Sequence, residues 1–284
     1  VPVHAVGAEG PFLSKVLGKE ECSITDAKRT FAKIDNSAAT EPNWKEKFSS
    51  LETDSIVMPA VRNCQALSKL GFDSCWFHFI GVSPTRRWID TRHYVDEWGI
   101  IWKLRELEGH VVFPWYAGGV LTPQEYERWS KPNPHHSLRM KIYHEIIDKC
   151  GNQILIAPAF TGFFEIAWLA IGGMEQFVRY LYRNPAFIKQ LVEDTTDFYI
   201  EMFGDIFATI PATKFVGLTY DCCDKNGPWA SPKVYREFFL PQLRKIVDYV
   251  HSKGSYIFFH SDGNLTLIMD LIVEAGFDAV HPLS

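Results

Sequence analysis

One feature constrains the fold more than any other. From about residue 58 onward, short and near-continuous apolar runs alternate with helix-length stretches of 3.6-residue periodicity. A helical pattern over Met58–Leu70 stops at Gly71, and Phe72–Ile80 reads as a strand. A helix over His136–Cys150 is followed by Gly151 and the apolar run Gln153–Phe160. A long helical stretch, about Phe164 to Ile210, is broken at Gly172-Gly173 and at Asn184-Pro185. Then come a strand over Lys214–Asp221, a helix over Ser231–Lys253 with Pro232 in its first turn, and a strand over Ser255–Ser261. A helix over Leu265–Ala275 and a last strand over Phe277–Leu283 complete the pattern. Gly151, Gly254 and Gly276 each follow the last periodic residue, where a helix ends most cheaply. Residues 81–135, rich in Trp, Pro and Gly, read as irregular, and residues 1–57 as a helical or irregular extension.

Strands apolar on both faces and joined by helices belong to a parallel sheet covered on both sides. Two architectures satisfy this, the doubly wound sheet and the (β/α)8 barrel. Neither Gly-x-Gly-x-x-Gly nor a Walker phosphate loop is present, which removes the nucleotide signature usual for the first. Every strand also ends in polar, chemically capable residues, the place where barrel enzymes carry their active sites. The expected fold is therefore α/β, a (β/α)8 TIM barrel forming one domain over residues 1–284. Its last segment, Asp278–Ser284, reads as a strand just finishing, so a fragment lacking the final strands of the barrel is expected.

Composition narrows the function. With 29 Lys+Arg against 34 Asp+Glu, a net charge of −5 and no basic run, the chain has no electrostatic footprint for nucleic acid. The longest apolar runs, such as that around Ile154–Ala159, are too short to span a bilayer. Val1-Pro2-Val3-His4 opens no charged and apolar signal segment, so a cytoplasmic protein is expected. Six cysteines without a Cys-x-x-Cys pair read as buried small hydrophobes in a reducing compartment.

In a parallel barrel the strand ends share one mouth. Read in order they are His78; Thr161 with Glu165; Tyr220-Asp221-Cys222-Cys223; His260-Ser261-Asp262-Gly263-Asn264; and His281. Positions two apart on a strand point to the same side, so His260 and Asp262 can converge on one point. An imidazole and a carboxylate at that spacing supply two corners of a zinc site, with other strands completing it. The competing reading makes Asp262 and Asn264 caps of the following helix, with His260 their neighbour. The two are compatible if Asn264 caps while Asp262 ligates. Asp221 at the mouth suits a general base or a substrate-cation anchor, or else a structural carboxylate bonded to loop amides. Adjacent Cys222 and Cys223 cannot easily ligate one ion together. Asp96-Glu97-Trp98-Gly99, with Trp88, Trp102 and Trp115, reads as an acidic, aromatic lid or wall, and His135-His136 as solvated.

Several of these stretches resemble the uroporphyrinogen decarboxylase superfamily, whose fold is a (β/α)8 barrel. They are Asn226-Gly227-Pro228 through Ser231–Pro241, His251-Ser252-Lys253-Gly254 with His260–Asn264, and Glu274–Leu283. Tyr94–Gly99, Phe164-Glu165 and Gly173-Met174-Glu175 support them. The resemblance implies one of two chemistries. True decarboxylases carry an Arg-x-Ala-Gly-Arg-Tyr segment whose arginines hold the porphyrinogen carboxylates. The corresponding Val3–Gly10 stretch here has no arginine, so those charge-assisted contacts are lost. The other branch holds corrinoid-dependent methyltransferases, whose zinc motif resembles His-x-Cys at His260-Ser261-Asp262 with a later cysteine. Asp262 stands here in place of the first cysteine.

The resemblance thus implies a methyltransferase of corrinoid-linked one-carbon metabolism, working on a small methylated substrate with a corrinoid (methylcobalamin) carried by a partner protein and with zinc at His260 and Asp262. Asp221, His260 and Tyr220 are the expected catalytic residues. Glu165, His78, Trp229, His281 and Asn264 are expected to line the substrate side. The alternatives are a decarboxylase of a small or tetrapyrrole acid, resting on Asp221 and Tyr220 without metal, and a non-catalytic barrel that binds a ligand or a corrinoid protein.

Overall fold

A computed structural model describes residues 4–5, 15–18, 57, 60–78, 85–107, 110–210 and 213–282. Strands β1 (His4–Ala5) and β2 (Ser74–His78) are followed by β3 (Arg86–Trp88), β4 (His93–Asp96), β5 (Ile100–Leu107) and β6 (His110–Gly119). Next come β7 (Leu155–Thr161), β8 (Phe215–Thr219), the short β9 (Cys223–Asp224) and β10 (Gly227–Pro228), then β11 (Tyr256–His260) and β12 (Ala279–His281). Six of these form a parallel sheet in the order β1-β2-β7-β8-β11-β12. Sheet order follows chain order throughout, so each strand adds on the same side as the last. A doubly wound sheet reverses direction at a switch point; this one does not. It is the curled, singly wound sheet of an incomplete (β/α)8 barrel, as the alternation of elements required.

Period-two alternation gives the sheet its two faces. Ile156, Phe160, Val216, Leu218, Ile257 and Phe259 belong to the large core shared with the helices. Trp76, Ala157, Ala159 and Phe258, with Phe215 against them, form a separate small cluster on the opposite face. The covering helices are α1 (Pro123–Tyr126), α2 (Ser137–Cys150), α3 (Phe163–Ile171), α4 (Met174–Arg183), α5 (Pro185–Thr209), α6 (Pro232–Val234), α7 (Leu240–Ser252) and α8 (Met269–Ala275), preceded by a helix over 60–69. The breaks read at Gly172-Gly173 and Asn184-Pro185 fall where α3, α4 and α5 meet. Gly172 takes φ +108° there, a left-handed conformation that costs glycine nothing. Cys64, Cys75, Cys150, Cys222 and Cys223 are buried and unbridged, while Cys22 and most of the extension over 1–57 lie outside the described residues. No helix among the described residues is long and apolar enough to cross a membrane.

Two expectations need correction. The part of residues 81–135 from Arg86 to Gly119 is not irregular, because β3 to β6 form a four-stranded antiparallel meander between β2 and α2. Only two residues separate β5 from β6, a hairpin link that period-3.6 reading passes over. Asp96 anchors this meander instead of serving a lid: its Oδ1 accepts from the Trp98 and Ile100 amides at 2.8 and 3.0 Å, and its Oδ2 from Trp102 Nε1 at 2.7 Å. Burial pushes the Asp96 carboxyl up to about 6 against those bonds. The helix expected over Ser231–Lys253 runs without a gap from Pro232 to Ser252 but is not α-helical throughout. Ser231 Oγ caps α6, a π-helical turn spans Tyr235–Phe239, and α7 then begins one residue before Pro241. Proline lacks the N–H that an α-helix needs and its ring crowds the preceding turn, so the wider π turn next to it relieves both.

Candidate active site at the strand ends

Hydrogen bonds carry the parallel ladder past the ends of the strands and so fix the mouth. Tyr220 N donates to His260 O at 2.7 Å and Ser261 N to His281 O at 3.1 Å. Ser261 Oγ accepts from Cys222 N at 3.1 Å, and Asp262 N donates to Asp221 Oδ1 at 3.0 Å. These bonds lock the segments after β8 and β11 side by side. Asp221, His260 and Asp262 consequently offer three ligand atoms within 4.8 Å of one another. His260 Nε2 lies 3.7 Å from Asp221 Oδ1 and 4.0 Å from Asp262 Oδ1. Exposure is graded: the imidazole is 14% exposed and the carboxylates 45% and 75%. The imidazole thus forms the floor of the group and the acids its rim.

The second imidazole nitrogen is also engaged. His281, in register with His260 across β11 and β12, brings its Nδ1 to 2.8 Å from His260 Nδ1, and the two rings stack at 5.1 Å. Trp76 covers both, with centroids 4.8 Å from His260 and 5.5 Å from His281. Burial pushes the His260 imidazole below its ordinary range, although Asp221 and Asp262 pull the other way. His281 is lowered by burial and then by His260. Both rings therefore favour their neutral form, the form that ligates metal.

The residues fit a divalent cation. Ligand bonds of ~2.0–2.2 Å in a tetrahedral site set donors roughly 3.4 Å apart, close to the separations found here. Among the described residues neither Asp221 nor Asp262 has a Lys or Arg partner, and both carboxylates reach water, so their oxygens are accessible to a cation. One nitrogen and two oxygens with solvent on one side suit zinc with an open position.

Glu165, in the first turn of α3, stands against Thr219 with Asp221 near it. Its Oε2 is buried without a hydrogen-bond partner. Burial first, and then the charge of Asp221, push its carboxyl up to about 8, while a bond from Thr219 opposes them. This environment favours the protonated carboxyl.

The remaining residues divide. Tyr220 does not join the group, because it is fully buried against Phe163, Phe164, Phe239 and Phe259, and its hydroxyl has no partner. As the next residue after Thr219 it falls on the helix-facing side of the sheet. Asn264 is exposed and bonded to local backbone: its Oδ1 accepts from Thr266 N at 3.0 Å, and its backbone N–H donates to Asp224 O. This closes a local turn and is not the helix cap weighed above, because α8 begins at Met269 with Ile268 at its N-cap position and no side-chain cap. Trp229 is 45% exposed and tied by its amide to Cys222 O. His78 closes β2, and its side chain lies outside the described residues. Cys222 and Cys223 are both buried. His136 Nδ1 caps α2, whereas His135 is exposed and bonded to Asp205 and Glu201. Trp76 was not singled out by sequence, since nothing in Ser74–His78 reveals that its ring will meet two imidazoles from later strands.

The uroporphyrinogen decarboxylase (URO-D) family model matches residues 103–282, well over half of the chain. The chain belongs to this family. That span contains β7, β8, β11 and β12 and every residue of the triad, so the family barrel and the candidate site coincide. Among solved structures, a methyltransferase from Methanosarcina mazei superposes with a TM-score of 0.62 at 17% identity, covering 99% of this chain and 70% of that one. At that identity it is the fold that is shared. A morphinone reductase variant in complex with tetrahydroNAD reaches a TM-score of only 0.31 at 13% identity, over 81% of this chain and 44% of that one, too low to carry an argument. No curated protein matches the sequence.

Proposed function

We propose that this URO-D family chain is a methyltransferase of corrinoid-linked one-carbon metabolism, acting in the cytoplasm. It would move a methyl group between a methylated small molecule, a corrinoid-carrying partner protein and an acceptor. The observation that carries the reading is the Asp221–His260–Asp262 triad, two carboxylates without Lys or Arg partners and an imidazole that favours its neutral form at the strand ends. Membership of the family, the fold shared with a methyltransferase, and the arginine-free Val3–Gly10 stretch all support it. Asp221, His260 and Asp262 would hold zinc, which would supply a Lewis acid to polarise the methyl-bearing heteroatom or to keep the acceptor as its anion.

The chain's own residues do the rest. The Asp262 amide holds the Asp221 carboxylate in place, and Trp76 shields the imidazoles from water. Trp76, Ala157, Ala159 and Phe258 make the inner sheet face beside the imidazoles apolar. Glu165 keeps a proton on its carboxyl beside Asp221, available to a departing heteroatom.

Full-length protein should contain about one zinc per chain by plasma mass spectrometry. It should also transfer methyl groups to cob(I)alamin from a methoxyl, methylamine or thioether donor. His260→Ala should lose both. A metal-free wild type that demethylates none of these donors would sink the reading.

One observation favours a second reading. Protonated Glu165 beside Asp221 is also what a decarboxylase of a small acid needs to protonate its product carbanion. Carbon dioxide release that persists in His260→Ala and disappears in Glu165→Gln would select it.

A further inference from the structure

The contact between His260 and His281 has a consequence for how the triad accepts a cation. At an Nδ1 to Nδ1 separation of 2.8 Å one nitrogen must donate and the other accept. Two neutral rings can meet this condition in two ways. In the first, His281 Nδ1–H donates to His260 Nδ1, and His260 carries its own proton on Nε2, facing Asp221 and Asp262. In the second, His260 Nδ1–H donates to His281 Nδ1, His281 is protonated on Nε2, and the His260 Nε2 lone pair faces the carboxylates. The carboxylates choose between them. Oxygens at 3.7 and 4.0 Å attract an N–H and repel a lone pair, so without a cation the first arrangement is preferred. A ligating nitrogen must present its lone pair, so with a cation the second is required.

We propose that His260 and His281 form a tautomer switch, with His281 the positioning residue that lets His260 present Nε2 to a divalent cation. On switching, His260 Nε2 loses a proton, the bridging proton passes from His281 Nδ1 to His260 Nδ1, and His281 Nε2 gains one. The pair holds two protons before and after, and both rings stay neutral. Trp76 packs against both rings, and the Nδ1 atoms of the two imidazoles face each other at 2.8 Å. The inference rests on the reading of Asp221, His260 and Asp262 as a cation site, but the cation-free half can be tested without it.

The test is long-range 1H–15N spectroscopy of the full chain with 15N-labelled histidine, with and without Zn2+, together with calorimetric zinc affinities. Zinc-free protein should show His260 protonated on Nε2 and His281 on Nδ1, and zinc should invert both. His281→Phe keeps a ring against Trp76 but has no nitrogen, and should bind zinc about 10–100-fold more weakly. His281→Asn, whose Oδ1 can take the place of Nδ1 as acceptor, should stay within about threefold of wild type. Zinc binding with the His260 tautomer unchanged would overturn the switch, as would wild-type affinity in His281→Phe. Zinc-free protein with His260 protonated on Nδ1 would overturn it independently. Failure of wild type to bind zinc at all, with the zinc-free tautomers as stated, would instead remove the cation site and its coupling. If His281→Phe does not fold, the wild-type spectra and His281→Asn decide.

Discussion

Glu165 shows how one side chain can be legible as a candidate yet opaque in its chemistry. Its place after an apolar strand marked it in sequence, but its protonation is set by burial and by Asp221, 56 positions away in the chain. The raised carboxyl has a thermodynamic signature. From the ordinary 4.5 to about 8 the folded state keeps a proton that the unfolded state has released, so stability falls as pH rises through that window. The slope from this group alone is at most ~1.4 kcal/mol per pH unit. Denaturation at pH 5 and pH 8 should show Glu165→Gln losing less stability than wild type between the two. An unchanged difference would mean that Glu165 is ionised at neutral pH. Tyr220 is the converse case. The same logic sets it among the expected catalytic residues, yet a strand alternates faces, and one step past Thr219 puts it among phenylalanines.

The inserted meander depends on a buried ion pair to join it to the helical layer. Arg139 on α2 meets Glu97 at 2.5 Å, with the two side chains only 6% and 5% exposed. Arg139 also donates to Asn133 O and lies over the Phe198 ring. Burial pushes the Glu97 carboxyl up and Arg139 holds it down, so removing the arginine leaves a charge with little water around it. Arg139→Met should cost about 3–5 kcal/mol in a urea melt, and adding Glu97→Leu should recover much of that loss. A single variant as stable as wild type would show that the pair contributes nothing there. Close packing ties the same meander to α3, since a Cβ at Gly119 would fall 2.2 Å from the backbone oxygens of Leu169 and Ala170. None of this was visible in the Trp-, Pro- and Gly-rich stretch, because antiparallel pairing is decided between strands and Glu97 and Arg139 lie 42 residues apart.

For the molecule as a whole, the cation reading makes a stability prediction. A ligand bound only by the folded state, at a hundredfold excess over its Kd, adds ~2.7 kcal/mol. For a chain of 284 residues that corresponds to a rise in Tm of about 5 °C. Zinc should produce this shift in wild type and not in Asp221→Asn or His260→Ala. Equal shifts in all three would place zinc elsewhere. The triad is where this effect belongs, because it joins the segments after β8 and β11, held together otherwise by parallel ladder bonds.

By itself the sequence determined the repeating architecture. Apolar strands, helix-length intervals and glycine stops dictate a parallel, helix-covered sheet, because each is a local pattern of burial and backbone freedom. It also determined which residues stand at the strand ends. Tertiary structure alone decided which of those ends meet. Parallel register set His281 against His260, and the ladder beyond β8 set Asp221 against Asp262, while Tyr220 turned to packing and Asn264 to a local turn. The reason is physical. A strand's period fixes only the face of each side chain, whereas convergence on one point depends on the register of strands 21 and 41 residues apart.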